Sequence, residues 1–80
     1  MGYVIVNKHG TKLTAFHQND IPDVFHFSNR SYDVYCNKKQ AVHELAYILG
    51  EIENNMERWG TEWTEKHLTT ALSLRIKKDE

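Results

Sequence analysis

Asn37-Lys38-Lys39-Gln40-Ala41-Val42-His43-Glu44-Leu45-Ala46-Tyr47-Ile48-Leu49-Gly50-Glu51-Ile52-Glu53-Asn54 is the stretch from which the fold can be read. Asn37 is a good helix cap, and Gln40 follows three residues later, in the position that closes a capping box. Ala41, Leu45, Ile48 and Ile52 then recur at helical spacing, joined by Val42, Leu49 and Met56. His43, Glu44, Glu51 and Glu53 fall on the opposite face. The spacing predicts a helix over about 38–54, one face on a core and the other acidic. Gly50 weakens that helix by roughly 1 kcal/mol relative to alanine. Close approach of the helix to a sheet would account for it.

Strands precede the helix. Tyr3-Val4-Ile5-Val6 is β-branched and aromatic, and Asn7-Lys8-His9-Gly10 supplies turn chemistry, with Gly10 free to take a positive φ. In Thr11-Lys12-Leu13-Thr14-Ala15-Phe16-His17, Leu13 and Ala15 alternate with Lys12 and Thr14, so residues 3–17 read as a β-hairpin. Gln18-Asn19-Asp20-Ile21-Pro22-Asp23 breaks the pattern as a turn. Further strands are expected near 24–27 and 31–36, the second with Tyr32, Val34 and Cys36 on one face.

After the helix, Trp59-Gly60 marks a break. Thr61 or Thr64 can cap a shorter helix over about 62–72, with Glu62 and Glu65 in its first turn. Beyond it two periods compete. Leu68, Leu72 and Ile76 fit a helix reaching about residue 77; Leu72, Leu74 and Ile76 fit a last strand over 73–77. The absence of a turn residue between the halves favours the helix. The expected architecture is α+β: a small antiparallel sheet of three to four strands packed against the 38–54 helix, followed by the second helix, in one domain spanning residues 1–80.

Eighty residues with a net charge of −1 exert no global pull on nucleic acid or membrane. The single cysteine, Cys36, excludes an internal disulfide and reads as a small hydrophobe on a strand. Tyr3 to Val6 is too short an apolar run for a signal peptide or a membrane span. A reducing cytoplasm is the expected compartment.

Few residues suggest chemistry. The five histidines, His9, His17, His26, His43 and His67, lack the close pairing of a zinc site. His17 and His26 could meet only if they ended neighbouring strands, with Asp20 or Asp23 between them. No nucleophile elbow and no glycine-rich phosphate loop is present. The expectation is no catalytic residue, no metal and no cofactor, and hence not an enzyme.

Two binding surfaces remain. The first is the acidic helix and the connector after it, where Trp59, Trp63, Arg58, Glu51 and Glu62 combine residue types enriched at interface hot spots with an acidic surround. Against it stands a core role for both tryptophans, with one buried and one partly exposed as the expected compromise. The alternative is a sheet face carrying Lys12, Phe16, Phe25, Arg30 and Tyr35, able to stack single-stranded nucleic acid; against it, half of its aromatics are needed in the core. The favoured reading is a non-catalytic module that binds a protein partner. A homodimer on a sheet edge or the second helix fits either surface.

Tyr3-Val4-Ile5-Val6, a turn, a second strand, and Tyr32-Asp33-Val34-Tyr35-Cys36-Asn37 leading to Ala41 resemble a pattern in small uncharacterised phage and prophage proteins of Gram-positive bacteria. The resemblance covers residues 3–49. It implies a small accessory protein of a bacterial cytoplasm that binds and modulates a host factor, and it transfers no functional residue. Those proteins often finish in a clear strand.

Overall fold

The computed structural model describes residues 2–17 and 24–79. The turn expected at 18–23 lies outside them. Four strands and three helices follow one another as β1 (Gly2–Val6), β2 (Leu13–Phe16), β3 (Phe25–Phe27), α1 (Lys38–Asn54), α2 (Met56–Trp59), α3 (Thr61–Leu72) and β4 (Arg75–Asp79). The class is α+β, with antiparallel strands packed against the helix that the Asn37 signal predicts.

The Asn37 cap forms, with the return bond from Gln40 made to the residue before the cap and not to the Asn37 amide. Asn37 Oδ1 accepts from the Gln40 amide at 2.9 Å, and Gln40 Oε1 accepts from the Cys36 amide at 3.0 Å. Two donors at the helix start are thereby satisfied. Ala41, Ile48 and Ile52 are buried against Ile5, Leu13, Ala71 and Leu74, while Leu45 and Leu49 pack on the edge of that cluster. Val42 and Met56, expected in the apolar stripe, stay outside it, 47% and 45% exposed. A side chain at Gly50 would meet nothing within 4 Å, so close approach to the sheet does not explain this glycine.

The end of the chain resolves the competition between periods in favour of the strand. α3 stops at Leu72, where Ser73 Oγ donates to the Thr70 carbonyl and the Arg75 guanidinium donates to the carbonyls of Leu72 and Leu74. Continuing the helix would have carried Ile76 onto the stripe of Leu72, which is 65% exposed. Turning instead buries Leu74 and sets Ile76 opposite Ile5 in an antiparallel ladder running from Gly2↔Asp79 to Val6↔Arg75.

That ladder also corrects the expected hairpin. The turn after β1 is present: Asn7 Oδ1 accepts from the His9 and Thr11 amides, and Gly10 has φ 81°. The strands flanking it nevertheless meet only at Val6↔Lys12. Val4, Ile5 and Val6 are all buried, a run that needs cover on both faces and takes its long pairing from β4. β2 pairs with β3, through a bulge between Leu13 and Ala15. The described residues therefore hold two two-stranded ladders joined by the single Val6↔Lys12 bridge, where one sheet was expected.

Residues 31–36 are not a strand. Only Tyr35 is bridged, to Tyr3, and Asp33 donates instead to the Leu13 carbonyl. Val34 and Cys36 are exposed, so the face expected to carry Tyr32, Val34 and Cys36 is not a buried one, and Cys36 sits in the bend before α1.

Candidate functional site

The connector after α1 is a tight corner. Asn55 closes α1, its amide and side-chain Nδ2 donating to the Glu51 carbonyl, and its own carbonyl accepts from the amides of Arg58 and Trp59. α2 is thus a single turn with no buried residue. Gly60, at φ 94°, reverses the chain into α3, and its carbonyl accepts from Thr64 Oγ1 at 2.9 Å. A side chain at position 60 would be strained by the backbone conformation itself.

This geometry brings Arg58, Trp59 and Trp63 together. The Arg58 guanidinium lies 4.9 Å from the centre of the Trp59 ring, a cation–π arrangement. Trp59 ends α2 and Trp63 lies in the first turn of α3, their ring centres 6.2 Å apart. Trp63 meets the buried His67 edge-on at 4.9 Å, and His67 in turn lies 6.2 Å from Phe25. A chain of rings therefore runs from the exposed Arg58 into the core. Both tryptophans are half-buried, where one buried and one partly exposed were expected. Both indole Nε1 atoms are buried without a hydrogen-bond partner. Glu62, in the first turn of α3, is exposed; Glu51, in the last turn of α1, is half-buried.

The acidic surface is less uniform than helix spacing suggests. Glu53, Glu57, Glu62 and Glu65 are exposed, but Glu44 is half-buried. Burial, and then the neighbouring Asp33 carboxylate, push the Glu44 carboxyl above its ordinary value. Burial, followed by Glu44 and Asp33, pushes the Tyr35 phenol up to about 12. These three groups share one corner between the 31–36 segment and α1.

Of the alternative sheet face, Phe16 and Phe25 come together, ring centres 5.2 Å apart. Phe16, Phe25 and Tyr35 are partly buried against the core cluster. Lys12 is occupied, its Nζ 3.8 Å from Asp79 and 4.2 Å from the centre of the Tyr32 ring. Arg30 is exposed in the turn after β3, its amide bonded to Ser28 Oγ.

His17 and His26 do meet, with ring centres 5.7 Å apart across the β2–β3 end. Asp20 and Asp23 lie outside the described residues. Among the described residues no group of three or more His, Cys, Asp or Glu side chains is placed to hold a metal ion, and no helix is long and apolar enough to cross a membrane.

Helix periodicity also missed some surface. Tyr47 and Val42 on α1 and Leu72 on α3 are large apolar residues in solvent. Nothing in local spacing separates these from core positions, because each sits next to the buried stripe. Comparisons with protein-family models, curated proteins and solved structures return no match for the chain.

Proposed function

We propose that the chain is a non-catalytic protein-interaction module of a bacterial cytoplasm, contacting its partner through the α2–α3 corner. The observation that carries this reading is Arg58 held over Trp59 beside the exposed Met56, on a turn that buries nothing of its own. An arginine stacked on a tryptophan is the kind of pair on which binding energy concentrates. Glu57 and Glu62 supply a charged rim, which suits a partner with basic groups around an apolar contact. Trp63 serves as the base that fixes Trp59.

The resemblance of residues 3–49 to small phage and prophage proteins agrees with an accessory role. The nucleic-acid alternative loses its support, since its aromatic rings are spent on the core.

The test is affinity capture from bacterial lysate with the wild-type chain and with a Met56→Glu, Arg58→Glu variant. Both changes are on exposed side chains and should leave the circular dichroism spectrum and Tm in place. Partners captured by the wild type and lost by the folded variant support the corner. An identical set of partners, or none, overturns it.

A further inference from the structure

We propose that the unpaired edge of β3, with the cleft separating it from α3, is a docking groove for an extended peptide segment of a partner protein. This surface is distinct from the Arg58–Trp59 corner. Among the described residues, β3 pairs with β2 and with no second strand. Its Ser28 end donates to the Lys12 carbonyl at 2.8 Å, and the Val24 carbonyl accepts from the His17 amide at 2.8 Å. Backbone groups alternate in direction along a strand, so the amides of Phe25 and Phe27 point away from β2. An unpaired edge of that kind is a template for a further strand.

Two cavities of about 270 and 220 Å³ border β3 and α3 and share Phe27 and Thr70. The first is floored by Val24, Phe25 and Phe27, with Lys66 on its α3 side; the second runs on to Lys8. Alternate side chains of an added strand fall on one face about 7 Å apart and would enter successive cavities. Each cavity is below the ~300 Å³ at which small-molecule sites begin, which favours a peptide over a compact ligand.

Charge selects the partner further. Lys66 and Lys8 flank the groove, and neither forms a salt bridge among the described residues. The fitting segment is extended, with large apolar residues at alternate positions and at least one carboxylate nearby. Main-chain bonds to β3 would supply affinity and the two cavities specificity.

The test screens the purified chain against a display library of random twelve-residue peptides. The most enriched peptide is then synthesised with N-methyl groups on one or the other set of alternate residues. Enrichment of an alternating apolar and acidic pattern is expected, with NMR shifts at the Phe25 and Phe27 amides. One methylation set should weaken binding on the order of tenfold or more and the other much less, since only one row of amides pairs with β3. Lys66→Glu should weaken binding roughly threefold at low salt, and Thr70→Arg, which fills the cleft, should abolish it. The proposal fails if no peptide is enriched, if both methylation sets act alike, or if the shifts fall on Arg58–Trp63 instead. Were Thr70→Arg to unfold the chain, the methylation contrast on the wild type would still decide.

Discussion

Tyr3 and Tyr35 exchange both backbone hydrogen bonds, each amide donating to the other's carbonyl at 2.8 Å. This single bridge ties the segment before α1 to β1, so it links the helix cap to the centre of the fold. It also explains Gly2. A Cβ there would collide with the Val34 side chain and come within 2.8 Å of the Tyr35 carbonyl oxygen. Backbone cannot move aside as a flexible side chain can. Gly2→Ala should therefore destabilise the chain by about 1–3 kcal/mol, the usual range for overpacking. Urea unfolding measures it; an unchanged midpoint would mean that β1 shifts freely.

The cap at α1 gives a second prediction. Asn37→Ala removes the acceptor for the Gln40 amide and should cost about 1 kcal/mol. Gln40→Ala removes the acceptor for the Cys36 amide at an exposed position and should cost less. The two bonds share one loop, so the double variant should lose less than the sum of the single losses. A denaturant-based double-mutant cycle reads the coupling directly.

The parts of the fold legible in the sequence are those set by local chemistry. Asn37 and Gln40 need only their own neighbours to define a helix start, and Gly10 needs only its turn. What escaped was non-local. Whether Ile76 belongs to a helix or a strand depends on Ile5, far away in the chain, and β1 was paired with β2 because the sequence cannot show that β4 competes for it. The candidate site divides the same way. The proximity of Arg58, Trp59 and Trp63 follows from their spacing, whereas the packing of Trp63 toward the core depends on His67, which in turn meets Phe25. The predicted aromatic sheet face failed because alternation says that residues share a face but not which face is covered.

Glu44 predicts a pH effect. Its carboxyl is raised in the fold, by burial first and by Asp33 second, so the folded state holds the proton more tightly than the unfolded state. This contribution favours folding most below the ordinary value of 4.5 and is lost as pH rises through that value to the elevated folded one. Glu44→Gln should raise Tm at pH 7. The gain should shrink as pH falls and vanish once both states of the wild type are protonated. Tm curves for the pair between pH 3 and 7 test this, and a constant offset would assign the change to packing instead of ionisation.

The buried indole nitrogens give the last prediction, which separates the structural from the binding role of the corner. Trp59 Nε1 and Trp63 Nε1 are buried with no hydrogen-bond partner among the described residues, and a buried unsatisfied donor costs about 1–3 kcal/mol. Replacing either ring by phenylalanine removes that burden along with some apolar contact. Trp59→Phe and Trp63→Phe should therefore each fall within about 1 kcal/mol of wild type, since the two effects oppose. Trp63→Ala loses the ring that touches both His67 and the core and should cost about 3 kcal/mol or more. Arg58→Ala, on an exposed side chain, should change stability by no more than about 0.5 kcal/mol. If the corner is a contact surface, Arg58→Ala is the variant that loses partners while keeping the fold. If Arg58→Ala were as destabilising as Trp63→Ala, the stacking on Trp59 would be a structural brace, and the interaction reading of this corner would fall.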